Sequence, residues 1–404
     1  MSFSNLYKNK SLLYTIAIIL GLLSGLGDIE FLKSLGLILS ETFVKVFKCL
    51  STPVIFLSLI VTIGALETDS RMRKIWRNTL IYTFGSTVIA AFISFLLYLI
   101  IHPENLNEVR ETTQGTLPLT GNYLVYLEQI IPGNIITPFI EQNVLAILLI
   151  AILIGSAIKV IPDQEAKKSL LLFFKGLHSL VMILVRWVVA LIPLALYGFI
   201  TATAIEMKNG STLKGIGQYL AVILLANIIQ GFIFLPLWLK ARGIKPFTTM
   251  KKMMPALSVA FFSKSSAGTL PITMETAEDV LRLDPKISRF VLPICTSLNM
   301  NGCAAFIFVT VTYVIQNQGV IITIPMMFMG ILLATIAAVG NAGVPMGCFF
   351  LSSAILSSMN IPIHLLGMIL PFYSLIDMVE TALNVWSDIC VTTVVNKDIL
   401  VQAT

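Results

Sequence analysis

The stretch Ser263-Lys264-Ser265-Ser266-Ala267-Gly268-Thr269-Leu270-Pro271 interrupts an otherwise apolar run from Met253 to Met274. A lysine, three serines, a glycine and a proline together end a helix, and a helix ended at mid-membrane leaves amides and carbonyls unpaired. Such backbone is tolerated only where it lines a cavity or meets an ion or a ligand. A second interruption, Gly340-Asn341-Ala342-Gly343-Val344-Pro345-Met346-Gly347, divides the run from Ile324 to Met359. A single interruption reads equally well as a kink of small packing residues. Two in comparable places point to a carrier with two re-entrant helical hairpins.

The membrane follows from composition. Of 404 residues, 56% are hydrophobic and 12% charged, with mean hydropathy +0.90; a soluble domain carries about twice that charged fraction. Apolar runs of the roughly 20 residues needed to cross a hydrocarbon core recur along the chain. They are continuous rather than alternating, which favours helices over a barrel. The fold expected is an all-α polytopic membrane protein.

The net charge of +6 does not imply nucleic acid, because the basic residues cluster at segment ends, where orientation explains them. Arg71-Met72-Arg73-Lys74-Ile75-Trp76-Arg77 and the group Lys240, Arg242, Lys245, Lys251 and Lys252 are expected on the cytoplasmic side. Glu104, Glu108, Glu111, Glu128 and Glu141, against Arg110, place residues 102–130 in an external loop. The path runs through helices near 11–40, 41–66, 79–101, 131–160, 169–206 and 215–239, in an inner cell membrane with both termini cytoplasmic. Lys8 and Lys10 before the apolar run from Leu12 imitate a secretory signal; without a small-residue cleavage site, an uncleaved first helix is the better reading.

Cys49, Cys295, Cys303, Cys348 and Cys390 lack paired metal-ligand spacing and read as small packing residues, with no disulfide framework. His102, His178 and His364 are scattered and imply no metal site. Polar side chains gather instead in Thr296-Ser297-Leu298-Asn299-Met300-Asn301-Gly302-Cys303, read as part of one apolar helix, and between Asp377 and Asp388 in the last helix. Intramembrane carboxylates are costly and need a counter-ion, a proton or a ligand. Asp377, Glu380, Thr381, Asn384 and Asp388 fall on one broad helical stripe, a candidate binding wall.

These motifs, in this order, resemble the dicarboxylate/amino-acid:cation (sodium) symporters, the glutamate-transporter homologues. The residues that carry the likeness are Ala267-Gly268-Thr269-Leu270-Pro271, Asn299-Met300-Asn301-Gly302, Gly343-Val344-Pro345 and the Asp377-to-Asp388 stripe. It extends upstream through Lys48-Cys49-Leu50-Ser51-Thr52-Pro53-Val54-Ile55-Phe56, Ile131-Pro132-Gly133-Asn134 and Asn143-Val144-Leu145-Ala146. The resemblance implies a homotrimer in the lipid bilayer, each chain with eight transmembrane helices plus two hairpins. A fixed scaffold (1–78 and 131–206) would carry an elevator-type transport domain (79–101 and 215–404).

By the same resemblance Asp377 would pair with a substrate ammonium, and Asn384 with the tip at Ser265 and Ser266 would hold its carboxylate. Val344 and Pro345 would lie on the hairpin that closes over the substrate, and Thr381 and Cys303 beside it. Asp388, with carbonyls near Cys295, Asn299 and Asn384, would hold one sodium ion; Asn301 stands at a further cation position, and Thr83, Ser86 and Thr87 would be helix-three ligands of a weak third site.

Departures from the family pattern bear on the substrate. Acidic-substrate members carry an arginine where this chain has Glu380, and a carboxylate there would repel glutamate or aspartate unless it is protonated. The combination Glu380-Thr381-Ala382-Leu383-Asn384 looks most like the serine/threonine branch, so a small neutral hydroxylated amino acid is the first expectation. A cationic or larger neutral amino acid is the second; acidic substrates and proton coupling through Glu380 stay open. Asn301 and Tyr373 stand where relatives carry acids, which leaves the sodium count open. Met346 and Cys348 replace small glycine-like positions. An intramembrane enzyme would need a nucleophile with a base or a metal dyad, and no such spacing is present.

Overall fold

In a computed structural model the described residues are 10–64, 70–105, 132–140, 144–208, 214–339, 341, 346–359, 361–362 and 364–400. They are all-helical or connecting segments. In chain order the helices are α1 (Lys10–Leu26), α2 (Glu30–Gly64), α3 (Ser70–Ile101), α4 (Thr137–Ile140), α5 (Val144–Val160), α6 (Gln164–Ala190), α7 (Ile192–Lys208) and α8 (Lys214–Ile229). There follow α9 (Leu235–Ala241), α10 (Pro246–Ser263), α11 (Ser266–Asp279), α12 (Pro285–Leu298), α13 (Asn301–Asn317), α14 (Ile324–Val339), α15 (Gly347–Ser358) and α16 (His364–Leu400). Among the described residues, four helical spans are long and apolar enough to cross a membrane: Lys74–Ile101, Gly215–Ala241, Pro285–Asn317 and Leu365–Ile399. Large apolar side chains such as Phe31, Ile100, Phe173, Trp187, Phe232 and Phe262 are exposed on the outside, a surface suited to lipid rather than water.

Several expected boundaries move. The break placed between residues 40 and 41 lies instead at Gly27-Asp28-Ile29. Gly27 donates its N–H to the Leu23 carbonyl, and Leu32 and Lys33 turn back onto Ile29; Glu30 then sits in the first turn of α2, where a negative charge suits the helix dipole. The expected helix 169–206 is two, α6 and α7, parted at Leu191. Pro193 lacks the N–H that a continuous helix would need, and the chain tightens through Leu191 N–H to Val188 O and Leu194 N–H to Leu191 O. In the expected helix 131–160, α5 starts at Val144; the greater part of the expected loop 102–130 lies outside the described residues.

Packing sorts the helices into two groups. The first is α1, α2, α5, α6 and α7, with α2 against α5, α6 and α7. In the second, α3 packs on α8, α12, α13, α14 and α16, and α16 also packs on α10, α12 and α13. The groups meet where α15 touches α2 and α5 and where α16 touches α7. Small residues allow the closest approach in the first group: a Cβ on Gly25 would lie 2.5 Å from the Ala204 Cβ and 2.6 Å from the Thr201 carbonyl. Gly21, one turn earlier, faces Ile200 in the same way. Close backbone contact of this kind replaces the hydrophobic drive that lipid cannot supply.

Two helical pairs carry the interrupted segments. α10 and α11 are joined by Lys264 and Ser265 alone and pack on each other; α14 and α15 flank the second interruption, where 340 and 342–345 lie outside the described residues. A π-helical turn, Gln230–Phe234, separates α8 from α9. Pro236 cannot donate to a carbonyl four residues back, and the turn lets the Gly231 carbonyl accept the Trp386 indole N–H of α16 at 3.0 Å. That bond ties α8 to the helix bearing the carboxylates.

Gly25→Leu should force α1 away from α7. Overpacking of this kind costs about 1–3 kcal/mol, so thermal unfolding of the purified protein in detergent should fall by several degrees. An unchanged melting temperature would refute the contact.

Candidate functional site

The site is built on α16. Asp377, Glu380, Thr381, Asn384 and Asp388 are all buried, in a helix that packs against α10, α12 and α13. Each carboxylate has a different surrounding, set by the element that faces it.

Asp388 is enclosed by hydrogen bonds. Its Oδ1 accepts from Asn299 Nδ2 at 3.0 Å and its Oδ2 from Thr296 Oγ1 at 3.4 Å. Asn299 also donates to Ser387 Oγ at 2.8 Å, and Asn301 Nδ2 donates to the same hydroxyl. From α3, Ser86 Oγ donates to Asn299 Oδ1 at 3.0 Å and Thr87 Oγ1 to Asn301 Oδ1 at 3.0 Å. Thr83 reaches this group through its hydroxyl, 3.7 Å from Cys295 Sγ, and through its carbonyl, which accepts from Ser86 and Thr87. Thr83, Thr87, Cys295, Asn299, Asn301 and Asp388 therefore come together as expected of neighbours. Asn384 makes no side-chain bond to Asp388, Asn299 or Thr83 among the described residues; it turns to Gly302 and Cys303 of α13 instead.

The polar segment 296–303 is not one helix. α12 ends at Leu298 and α13 begins at Asn301, with Asn299 (φ −95°, ψ 74°) and Met300 (φ −109°, ψ 65°) unwound. The cause is tertiary: Asn299 spends its side chain on Ser86, Ser387 and Asp388, and the freed Gly302 N–H donates to Asn384 Oδ1 at 2.9 Å. Gly302 is required there, since a Cβ would lie 2.8 Å from the Glu380 Cα.

Both hairpin turns converge on one turn of α16. Lys264, in a left-handed conformation (φ 56°), donates from Nζ to Ser374 Oγ. Met346, also left-handed (φ 62°), donates its N–H to Asp377 Oδ2 at 3.3 Å. Neither residue is glycine, so each turn carries a backbone cost of roughly 1–2 kcal/mol that its contacts must offset. Ser265 caps α11, its Oγ accepting from the Gly268 N–H at 3.0 Å, and Ser266 is buried behind it. Val344 and Pro345 lie outside the described residues. Tyr373 is buried between Phe306 and Phe349, with ring centroids 4.8 and 5.4 Å away.

Glu380 is the exception. It is 1% exposed, and neither carboxylate oxygen has a hydrogen-bond partner among the described residues. Facing it are Cys303 of α13 and Cys348 of α15, which the structure joins by a disulfide with Cα atoms 5.4 Å apart. Two of the five cysteines are thus partners rather than isolated packing residues. The pairing was hidden because 45 residues separate them and only the return of α15 onto α13 brings them together.

Three site residues were missed in the sequence. Ser387 shares the stripe, three positions after Asn384, which a stricter count of helical spacing would have found. Asn341 lies within the second interruption and aims Nδ2 at Cys303 Sγ, 2.8 Å away; Thr296 bonds Asp388. The last two lie in segments the sequence singled out, but their partners on α16 and α13 are set by the fold.

The family described as "Sodium:dicarboxylate symporter family" matches residues 11–398. This chain belongs to that family. The sodium:dicarboxylate symporters are transporters, not enzymes, and the sodium coupling expected from the sequence is a property this family implies. Neutral amino acid transporter A of Homo sapiens is 31% identical over 249 residues, 61% of this chain and 46% of that protein. Neutral amino acid transporter B(0) of Bos taurus is 26% identical over 385 residues, 86% of this chain and 70% of that protein. Excitatory amino acid transporter 2 of Mus musculus is 25% identical over 406 residues, with 86% and 70% covered. The chain spans about half the length of neutral amino acid transporter A of Homo sapiens and of Bos taurus.

Gly302→Ala should part α13 from α16 and break the bond to Asn384. A loss of about 1–3 kcal/mol is expected, read as a lower unfolding temperature in detergent; wild-type stability in that variant would disprove the close approach.

Proposed function

We propose that this protein imports a small neutral amino acid of the serine or threonine kind, driven by sodium. The observation that carries the proposal is Glu380: a buried carboxylate without a hydrogen-bond partner among the described residues, on the same helix face as Asp377. Where acidic-substrate relatives present an arginine, it excludes a substrate carboxylate and accepts a bond from a substrate hydroxyl. The similarity to two neutral amino acid transporters supports the same substrate class.

In this reading Asp377 binds the substrate ammonium, and Asn384, Ser265 and Ser266 serve its carboxylate. Thr381, Cys303, Val344 and Pro345 complete the pocket. Asp388 with carbonyls near Cys295, Asn299 and Asn384 holds one sodium ion, and Asn301, Thr83 and Thr87 belong to further cation positions. Hard oxygen donors from unwound backbone, amides and hydroxyls are the appropriate chemistry. Helices 1–2 and 4–5 (1–78 and 131–206) form a scaffold, and helix 3, helices 6–8 and two re-entrant hairpins (79–101 and 215–404) form the part that moves as an elevator. The division of packing into two groups that meet at few places supports it. The assembly is a homotrimer of eight-helix chains in the inner membrane, with both termini cytoplasmic and 102–130 outside.

A cationic amino acid is the second reading, because an unpartnered Glu380 equally suits an ammonium or guanidinium.

Uptake of labelled serine, aspartate and lysine into proteoliposomes, under a sodium gradient, a proton gradient or neither, separates these readings. Serine uptake driven by sodium is expected, with aspartate excluded; lysine uptake would favour the second reading and aspartate uptake would overturn both. Glu380→Arg should raise aspartate uptake relative to serine by tenfold or more, about 1.4 kcal/mol of changed preference, and an unchanged ratio would remove Glu380 from selectivity. Asp388→Asn should lose most of the sodium-dependent rise in melting temperature, which for wild type reflects roughly 2.7 kcal/mol when sodium is in hundredfold excess over its dissociation constant. A full sodium shift in the variant would place the ion elsewhere.

A further inference from the structure

Cys303 Sγ, Cys348 Sγ and a Glu380 carboxylate oxygen all lie within 4.8 Å of one another, and all three residues are buried. They come from three elements, α13, α15 and α16. Around them Asn341 directs Nδ2 toward Cys303 Sγ at 2.8 Å and Cys348 Sγ at 3.6 Å, while its own Oδ1 is buried without a partner among the described residues. Met300 Sδ lies 3.8 Å from the same Nδ2, and Asn384 Nδ2 is 3.5 Å from Cys303 Sγ. The cluster is rich in sulfur and has a carboxylate with no hydrogen bond among the described residues.

We propose that, with its two cysteines reduced, this cluster is a binding site for a thiophilic divalent cation of the zinc class. The donor set decides the ion. Sodium, magnesium and calcium prefer hard oxygens, whereas two thiolates with one carboxylate suit zinc. Tetrahedral zinc holds donors about 3–4 Å apart, a spacing these atoms reach with small side-chain adjustments. Rotation of the Asn341 amide exchanges Nδ2 for the unpartnered Oδ1 and supplies the fourth donor.

The steps balance. An external dithiol reduces the disulfide, delivering two electrons and two protons and leaving as its own disulfide. Zinc then displaces one proton from each thiol, and two thiolates and one carboxylate hold the ion. Since Cys348 stands on the second hairpin and Cys303 and Glu380 on helices behind it, a bound ion ties α15 to α13 and α16. The cation therefore occupies the pocket proposed for the amino acid and holds the hairpin against it. The site itself rests on the sulfur and carboxylate geometry and stands apart from the transport reading.

The test uses the full chain in detergent, reduced with a non-thiol phosphine and then freed of it. Titration with cobalt(II) as an optical probe should give the near-ultraviolet band of thiolate-to-cobalt charge transfer and the visible bands of tetrahedral cobalt, both removed by added zinc. Cys303→Ser and Cys348→Ser should abolish the charge-transfer band or shift it, and weaken zinc at least tenfold in competition with a chromogenic chelator. Glu380→Gln should keep the band and weaken zinc. Protein left oxidised should show no band. A reduced wild-type protein without the band, or serine variants that bind zinc as tightly as wild type, would overturn the proposal. Variants are compared only where gel filtration shows a folded protein, and Cys49→Ser, at an exposed cysteine of α2, should bind zinc as wild type does. Because binding is read without transport, absent serine uptake would overturn the preceding function alone, and an absent band would overturn this site alone.

Discussion

Three carboxylates on one helix inside a membrane are the constraint around which the rest is arranged. An ionised side chain taken from water to a low-dielectric interior costs several kcal/mol unless it is paired or solvated. Asp377, Glu380 and Asp388 are all buried in α16, and every unusual piece of backbone in the described residues near them serves that helix. The π-helical turn at Gln230–Phe234 offers its carbonyl to Trp386. The unwound pair Asn299–Met300 brings an amide to Asp388 and a backbone N–H to Asn384. The two left-handed hairpin turns reach Ser374 and Asp377, three residues apart.

Broken helices solve this problem better than continuous ones. A continuous helix uses nearly all its backbone groups internally and can offer a carboxylate only side chains. Interrupting α12 from α13 frees N–H groups at the start of α13, with their partial positive charge aimed at the stripe, and lets Asn299 face both α3 and α16. Gly302 is what makes the approach possible, for any Cβ would meet the Glu380 backbone. The bonds from Ser86 and Thr87 to Asn299 and Asn301 then couple α3 to the same junction. Displacing α3, α12 or α13 therefore disturbs the surroundings of Asp388.

How much of this was legible depended on whether the cause was local. The interruption at 263–271 was legible in place but not in extent: only Lys264 and Ser265 leave the helix, while Gly268 and Pro271 lie inside α11; that at 340–347 was legible in the ends of α14 and α15 that flank it. The α16 stripe was legible because acids in an apolar run are costly wherever they point. The break at Asn299–Met300 was not, since neither residue forbids a helix and its cause is partners on α3 and α16. Cys303 and Cys348 looked like isolated packing residues for the same reason: their relation exists only once α15 folds onto α13. The first helix boundary was misplaced because the long apolar run hides the single Gly27-Asp28 interruption, whereas Pro193 ought to have marked the break between α6 and α7.

The three carboxylates are treated unequally by their surroundings. Asp388 is fully engaged by Asn299 and Thr296, and Asp377 is met by the Met346 N–H, so both are held in fixed positions by the protein itself. Glu380 has no such hydrogen bond among the described residues, although hydroxyls and amides abound one turn away in either direction. A buried acid with no donor among the described residues leaves a place for a partner from outside the fold. In the proposed function that is a substrate hydroxyl or ammonium, and in the reduced state it is equally a zinc-class cation beside the two sulfurs. Each supplies what α16 withholds at this one position, so the occupant of the pocket, rather than the fold, completes the electrostatics of the last helix.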